Sequence, residues 1–565
     1  MFNSKARYYN NLFSIVLKFF VILFSLPLSI ILFLNIFEII NIIPDKLYID
    51  KANPWMRLLT NVLFFGIIGG SFGFLVAIAS LIMKKKTLTI YTKECYEIIS
   101  NTKLSEKLPK VLYIYTTHND FIESRVLQNM KQTYKNFEVW VSDGSSKQEW
   151  RDKVSNFCKE HKINLFQLEL PGSKNKADNL NNFLRNYKGE YDYILIGDSD
   201  EVFHPNFVES AVKMFYYPNI KNLGYVSPIN INYRCKGIYP NTLRILETNN
   251  YYWEVLPRSL NNHYLAPLPG QSCLISKEVF EKVAINSQFD EGNLEDWYLE
   301  TNMVENGYHG VMIPNTPCFF EPDVNIVAHF NRIMRVYDWI IRWWKIGNKK
   351  ILFNYNEKYS SWYKLYLSNL FSPIIIFLSL STFSFFTWLV ATNWDYSFKN
   401  NILFWISIGL SLFTSFVFLI LNSILIGYRK FNFWDYLFHP VIFLMWSFVA
   451  NIKLFQHWFK SLFLSKYSSF GGSGNSRFIK TNSKTLRWWI SWIIFTAILV
   501  TFNTCVVLLT DWTNLRWLLI IVNVFVGSIW LGINSYLILW YINFIPYNNQ
   551  FSRNDEIDCG EILKR

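Results

Sequence analysis

Cysteine is scarce in this chain, which has seven cysteines among its 565 residues. They are scattered without the spacing of metal ligands, so the sequence indicates neither a zinc knuckle nor a disulfide framework. Those that fall in a cytosolic segment are expected to be free thiols. Long internal repeats are not visible, and the one flexible Gly/Ser stretch is FGGSGNS, Phe470 to Ser476, which is typical of a mobile loop.

Apolar residues, in contrast, are abundant: 51% of the chain is hydrophobic and 19% is aromatic, which is high for a soluble protein. Runs long enough to cross a bilayer, on the order of 20 residues each, occur at Leu12 to Ile40 and at Leu58 to Met83. No small-residue cleavage site follows the first run, so a retained helical pair is favoured over a signal peptide. The basic residues Lys84 to Lys86 then indicate that the next segment begins in the cytosol.

Five further apolar stretches lie in the second half of the chain: Leu365 to Val390, Ile402 to Ile426, Trp434 to Phe463, Trp488 to Leu509 and Leu515 to Ile545. The third of them contains several ionisable residues, which favours a helix lying in the membrane interface, although a true span is the alternative. With that stretch interfacial, both termini are cytoplasmic and the basic loops fall on the cytoplasmic side, as the positive-inside rule requires.

The sequence thus predicts a membrane α-helical bundle with an inserted cytosolic α/β domain. Two transmembrane helices are expected in 1–86, the cytosolic domain in 87–328, interfacial helices in 329–364, and four transmembrane helices in 365–565. The last region includes the interfacial helix at about 434–463 and a loop at about 467–486. The expected location is the plasma membrane.

Three strand-like runs in the central segment end in polar or acidic residues. They are VLYIYTTHND (Val111 to Asp120), FEVWVSDGSS (Phe137 to Ser146) and YDYILIGDSDE (Tyr191 to Glu201). In an open α/β sheet, ligands bind beyond the carboxyl ends of parallel strands, so the three ends predict one shared crevice. Any single acid there could instead be a helix cap or a turn former.

The order of motifs resembles that of the family 2 glycosyltransferases, and of the membrane-embedded cellulose and hyaluronan synthases in particular. The segments that carry the resemblance are TTHND, SDGSS, KNKADNLN, DSD and LEDW, and the resemblance covers most of the chain. The resemblance implies a glycosyltransferase-A domain with a Rossmann-like mixed sheet, and an inverting, metal-dependent transfer of a hexose from a nucleotide-diphosphate-sugar, expected to be a UDP-sugar.

The resemblance also implies roles for individual residues of the donor site. Thr116 and His118 would lie at the uracil, Asp120 would occupy the family's usual acidic position, and Asp143 would accept a hydrogen bond from the uracil ring. Lys176 would contact the diphosphate, and Asp198 and Asp200 would form the Asp-x-Asp metal motif, with Asp198 also at the nucleotide-sugar.

The clustered acids can also be explained on physical grounds in a chain whose net charge is +13: they can bind a cation. The leaving diphosphate carries negative charge that a cation must offset, and hard carboxylate oxygens suit Mg²⁺ or Mn²⁺. Lys176 would add a point charge on the phosphate, whereas a solvated loop lysine is the alternative reading.

Catalysis also requires a base, because the acceptor hydroxyl loses a proton as it attacks. Asp296, in LEDW, is the expected general base, and Glu295 is expected to orient a neighbouring group at the acceptor. Since a helix-like pattern begins here, Asp296 could instead be a first-turn acid favoured by the helix dipole.

An acceptor site is expected in HFNRIMRVYDWIIRWWKIG, His329 to Gly347. Processive family members carry a Gln/Arg-x-x-Arg-Trp motif, and two registers compete for it here: Arg332 with Arg335, or Arg342 with Trp343. Neither register is a full match, and a basic, aromatic interfacial helix is the alternative. GQSCLISKEVF, at 270–280, resembles the family segment that lines the acceptor pocket. Phe478, Thr481 and Lys484 approximate a gating loop, with a basic linker as the alternative.

The expected function is therefore synthesis and translocation of a polysaccharide, extracellular or capsular, with the growing polymer, the nucleotide-sugar and the lipid bilayer as partners and no nucleic acid. A non-processive transferase that adds sugar to a lipid would share every donor motif, but it should need no polymer channel. A transporter or receptor is disfavoured, because such proteins place ionisable residues within their spans and the assignable spans here have few.

Overall fold

The computed structural model describes residues 85–173, 176–232, 272–282 and 306–320, together with the single positions 8, 12, 15, 19, 79, 82, 83, 299 and 303. Apart from those single positions, the predicted membrane runs, interfacial helices and gating loop lie outside the described residues. Among the helices that are described, none combines the length and the apolar character that crossing a bilayer requires.

The described segments form eight strands and six helices, and helices and strands alternate one by one as far as β4. In chain order they are α1 (85–101), β1 (Val111–Thr117), α2 (Glu123–Asn129), β2 (Phe137–Asp143), α3 (Gln148–His161), β3 (Asn164–Gln167), α4 (Lys176–Asn186), β4 (Tyr193–Gly197), β5 (Val202–Phe203), α5 (Phe207–Tyr216), β6 (Leu223–Asn232), β7 (Cys273–Ser276), α6 (Lys277–Phe280) and β8 (His309–Phe320).

The strands make one mixed sheet in the order β3-β2-β1-β4-β7-β6-β8-β5. The first four are parallel to one another, β7 runs antiparallel to both β4 and β6, β8 lies parallel to β6, and β5 closes the edge antiparallel to β8. The carboxyl ends of β2, β1 and β4 therefore meet at the same edge of the sheet.

Both faces of the parallel half are covered by helices, as the apolar composition of its strands requires. Successive side chains of a strand point to opposite faces. In β1, Tyr113 and Tyr115 pack with the core that includes Val154 and Phe207 from α3 and α5, whereas Leu112 and Ile114 pack with the core that includes Leu180 of α4. Every residue of β1 is buried, so the strand has no freedom to shift its register.

Helix α1 is held against strand β8 by hydrogen bonds as well as by packing. The hydroxyl of Tyr91 donates to the carbonyl of Met312 at 2.6 Å, and Asn315 Nδ2 donates to the carbonyl of Thr92 at 3.1 Å. Tyr91 and Cys95 are both buried in the interface. Helix α1 is therefore an integral part of the domain.

Several sequence predictions can be checked directly against these elements. The three polar-ended runs are strands β1, β2 and β4, as predicted, and the alternation of strands and helices confirms the α/β class of the central domain. Four cysteines, Cys95, Cys158, Cys273 and Cys318, are free and buried, which confirms the expectation of free thiols for these positions. The sheet lies within the predicted interval 87–328, whose ends stay predictions.

Candidate active site

The pairing register places the carboxyl ends of β1, β2 and β4 side by side. Thr117 of β1 lies opposite Asp143 of β2, and Tyr115 of β1 lies opposite Gly197 of β4, so that Asp198 follows directly at the same level. Thr116 Oγ1 donates to the carbonyl of Gly197 at 3.0 Å and lies 3.4 Å from Asp198 Oδ1. The carboxyl ends of β1, β2 and β4 therefore lie side by side, as predicted, while a ligand-binding crevice at this edge stays a prediction.

The loop after β1 is held by the loop after β2. Asn119 adopts a left-handed backbone conformation (φ 59°), and its N–H donates to Ser145 Oγ at 2.9 Å. His118 Nδ1 lies 2.7 Å from the carbonyl oxygen of Gly144. Since a carbonyl oxygen can only accept, Nδ1 carries the proton in this contact. The other ring nitrogen of His118 is then an acceptor in the neutral ring.

Asp143 is completely buried at the end of β2. One of its carboxylate oxygens accepts from the N–H of Ser145 at 2.9 Å, and the other accepts from Gln167 Nε2 at 2.7 Å. The next residue must be glycine, because a Cβ on Gly144 would overlap the side chain of Ser173. The carboxylate of Asp143 is thus rigidly placed, while its hydrogen bond to a uracil ring stays a prediction.

Lys176 is the first residue of α4, directly after two residues outside the description. The helix is locked to the sheet by two hydrogen bonds: Asn179 Nδ2 donates to the carbonyl of Ser142 at 2.9 Å, and Asn179 Oδ1 accepts from Ser142 Oγ at 2.8 Å. From this fixed start, Lys176 Nζ reaches Asp198 Oδ1 at 2.5 Å, with the two side chains 18% and 32% exposed. The predicted phosphate-binding lysine and the predicted metal-binding acid are therefore ion-paired.

The turn Asp198 to Glu201 is held at several points, mostly by residues to which the sequence assigned no role. Tyr115 donates its hydroxyl to the carbonyl of Ser199 at 2.7 Å. Asn129, buried in α2, donates to the carbonyl of Glu201 at 2.9 Å. Ser199 Oγ donates to Asp120 Oδ2 at 2.7 Å, and Asp120 Oδ1 accepts from the hydroxyl of Thr117 at 3.0 Å. Asp120 thus joins the loop after β1 to this acidic turn.

Glu201 supports the turn from beneath. It is completely buried, and its Oε2 accepts from the N–H of Asp198 at 3.1 Å. Its Oε1 has no hydrogen-bond partner among the described residues. Loss of hydration by burial raises the pKa of Glu201 well above its ordinary value, and the negative charge of Asp198 adds to the increase, while the positive charge of Lys176 opposes it.

The donor atoms of this turn fit a divalent cation of the hard type. Asp198 and Asp200 follow β4 at the edge of the sheet, and the carboxyl group of Glu201 has a buried oxygen, Oε1, without a hydrogen-bond partner among the described residues. In the described part of the chain, no three His, Cys, Asp or Glu side chains converge as a complete metal cage. Mg²⁺ commonly binds through one or two carboxylates together with substrate phosphates, so such a cage is not required.

The predicted catalytic and acceptor residues lie outside the described residues: Asp296, Glu295, Arg332, Arg335, Arg342, Trp343, Phe478, Thr481 and Lys484. Near the expected base, Leu299 and Met303 are described; both are helical and buried, which agrees with the helical pattern predicted after Asp296. Of the GQSCLISKEVF segment, residues 272–280 form β7 and α6 beside β4.

The bond between Ser199 and Asp120 yields a test of how the turn is held. Replacing Ser199 by alanine removes a donor to a carboxylate, and we expect UDP to bind about 3- to 10-fold more weakly in the presence of Mn²⁺, the factor for one lost hydrogen bond. Isothermal titration of the purified chain measures the affinity. Thr133→Ala removes a hydroxyl that contacts Glu209 in the connection before β2, and it should leave the affinity unchanged. Equal affinities for Ser199→Ala and the unmodified protein would show that the bond does not position the turn.

Comparison with models of known families gives a match for the segment that contains these strand ends. Residues 112–283 match the family model described as "Glycosyl transferase family 2". The chain contains a family 2 glycosyltransferase domain. The match begins in β1 and ends just after α6, so it includes the strand ends, Lys176 and the acidic turn. Together with the mixed sheet, it supports a glycosyltransferase-A-like fold and a nucleotide-sugar glycosyltransferase activity.

Solved structures similar to the chain include other transferases. The mannosyltransferase PcManGT from Pyrobaculum calidifontis, in complex with GDP-Man and Mn²⁺, is 16% identical, with 65% of this chain and 100% of that chain covered and a TM-score of 0.38. S. aureus TarS 1-349 with UDP-GlcNAc is 14% identical, with 64% and 94% covered and a TM-score of 0.31. GalNAc-T7 with UDP, GalNAc and Mn²⁺ is 14% identical, with 38% and 44% covered and a TM-score of 0.29.

Proposed function

We propose that the chain is a membrane glycosyltransferase that polymerises a hexose from a UDP-sugar into an extracellular or capsular polysaccharide and moves the product across the plasma membrane. The observation that carries the transfer reaction is the ion pair of Lys176 and Asp198 at the carboxyl ends of β1, β2 and β4, inside a family 2 glycosyltransferase domain. Support for the membrane and the polymer comes from the apolar runs on both sides of that domain.

In the proposed reaction the donor lies across the strand ends. Thr116, His118 and Asp143 would surround the uracil, with Asp120 holding the loop that carries His118. Lys176 would contact the diphosphate, and Asp198 and Asp200 would hold Mg²⁺ or Mn²⁺. The bound cation would supply positive charge that offsets the developing charge on the leaving diphosphate.

The acceptor side of the reaction rests on the sequence motifs. Asp296 would take the proton of the acceptor hydroxyl. The hydroxyl oxygen would form the new glycosidic bond to the sugar as the bond between the sugar and the diphosphate breaks. Because the hydroxyl attacks directly from the opposite face, the transfer would invert the anomeric configuration. Glu295 would orient a group beside the base, and the arginine and tryptophan residues of His329 to Gly347 would hold the sugar terminus by hydrogen bonds and stacking.

A product assay tests this proposal. Full-length protein in detergent is incubated with Mn²⁺ and a panel of radiolabelled UDP-glucose, UDP-N-acetylglucosamine and UDP-galactose, and the product is extracted with organic solvent and then sized. We expect label from one donor in a high-molecular-weight fraction that stays in the aqueous phase. Label confined to a single sugar on an organic-soluble lipid would replace the synthase by a lipid glycosyltransferase.

The acceptor motif yields a separate prediction. Replacing Arg335 or Trp343 by alanine should shorten the polymer or abolish it while donor hydrolysis continues, because the growing end would lose hydrogen bonds or a stacking surface. Product size and released UDP are measured in the same reaction. Arg429→Ala, a basic residue between two predicted helices, is the control. Full-length product from both motif variants would exclude this role.

A further inference from the structure

Lys176 and Asp198 form a direct ion pair at the acidic turn. The lysine Nζ lies 2.5 Å from Asp198 Oδ1, within direct ion-pair distance, and neither side chain is more than a third exposed. Asp198 is the first of three acids in four residues, followed by Asp200 and Glu201. A cation beside Asp198 therefore offsets part of the charge that this turn concentrates.

The backbone on both sides of the ion pair is fixed, so the side chain of Lys176 is the part that can move. Asn179, one turn further along α4, is bonded twice to Ser142 of β2, and Ala177 is buried against the sheet. On the other side, the N–H of Asp198 is held by Glu201 Oε2. A lysine side chain has rotatable bonds enough to exchange partners while both backbones stay in place.

A divalent cation bound at Asp198 and the ammonium group of Lys176 compete for the negative charge of the same carboxylate. The two positive charges repel each other across a short distance, so each weakens the binding of the other. A diphosphate changes the balance, because it offers Lys176 a second anionic partner.

On the basis of the function proposed above, we propose that Lys176 is the counter-ion of Asp198 until the donor binds, and that it transfers to the diphosphate when nucleotide and metal bind together. The ion pair then disfavours a metal ion that arrives alone. Metal and nucleotide bind with positive cooperativity, and the domain does not hold Mg²⁺ or Mn²⁺ firmly between turnovers.

The counter-ion role predicts that loss of the Lys176 charge changes the affinity for Mn²⁺ alone and the affinity for UDP in opposite directions. Mn²⁺ is titrated into full-length, metal-free protein without nucleotide, and the free ion is measured by electron paramagnetic resonance. Lys176→Met keeps the length of the side chain and removes its charge, and we expect it to bind Mn²⁺ alone about two- to five-fold more tightly than the unmodified protein. The same variant should bind UDP in the presence of Mn²⁺ about ten-fold more weakly, since it lacks the charged phosphate contact.

Two controls separate charge from structure. Lys188→Met removes an exposed lysine just beyond the other end of α4 and should change neither affinity. Lys176→Arg keeps the positive charge and should bind Mn²⁺ alone as weakly as the unmodified protein. If Lys176→Met does not fold, as judged by its melting temperature, Lys176→Gln takes its place.

The possible results distinguish this role from the proposed function. Tighter binding of Mn²⁺ alone by Lys176→Met, with weaker binding of UDP, supports both. Unchanged or weaker binding of Mn²⁺ alone by the neutral variants overturns the counter-ion role, and weaker UDP binding would still support the donor site. Failure of the unmodified protein to bind UDP with Mn²⁺ would instead overturn the proposed function.

Discussion

Replacing Asp200 by asparagine is expected to lower sugar transfer about 10³-fold or more, the scale on which enzymes depend on a preorganised charge at the reacting group. Asp200 follows β4 in a turn whose backbone is held by Tyr115, Asn129 and Glu201, so the exchange of one carboxylate for an amide should leave the turn in place. What the variant loses is an anionic oxygen for the metal. Release of UDP from the UDP-sugar, followed over a range of Mn²⁺ concentrations, measures the effect.

A matched control is available at the opposite end of the same strand. Asp192 lies just before β4, where its carboxylate accepts from the N–H of Lys110 at 2.6 Å. Asp192→Asn makes the same chemical change far from the strand's carboxyl end and should retain most of the activity. Full turnover of Asp200→Asn, or of the unmodified protein in excess chelator, would contradict the metal assignment.

Replacing Asp296 by asparagine is expected to lower the turnover number about 10²- to 10⁴-fold, the usual contribution of a general base. The affinity for the UDP-sugar should stay close to that of the unmodified protein, because the base acts on the acceptor hydroxyl. Steady-state kinetics and equilibrium binding of UDP separate the two quantities.

The specificity of that effect is checked within the same segment. Asp290→Asn changes an acid that lies outside the LEDW motif and should leave turnover nearly unchanged. A large loss of UDP affinity in Asp296→Asn, with unchanged turnover at saturating donor, would place Asp296 in the donor site and remove it from proton transfer.

The parts of the fold that the sequence predicts well are those set by local pattern. β1, β2 and β4 are continuous apolar runs that end abruptly in polar residues, and parallel strands buried on both faces have that character. Their carboxyl ends must share an edge once the strands are parallel, so the meeting of Thr116, Asp143 and Asp198 could be expected. The order of β7, β6, β8 and β5 depends on pairings between distant segments, for which the local pattern carries no signal.

The site contains contacts that residue types alone do not reveal. Asn129 is the last residue of α2, and nothing in its sequence context indicates that its side chain holds the carbonyl of Glu201. Ser199 is the x residue of the Asp-x-Asp motif, yet its hydroxyl joins Asp120 to the turn. Glu201 ends the third strand-like run without an assigned role, and burial beneath Asp198 makes it a support for the turn. The membrane helices, the base and the acceptor residues stay predictions from sequence.

A structure of the full-length chain with UDP and Mn²⁺, determined by electron cryomicroscopy, tests the donor site most directly. The uracil is expected near His118 and Asp143, with Asp198 and Asp200 at the metal and Lys176 turned from Asp198 to the diphosphate. UDP bound elsewhere on the domain, or bound with the pair of Lys176 and Asp198 intact and no metal at the acidic turn, would contradict it.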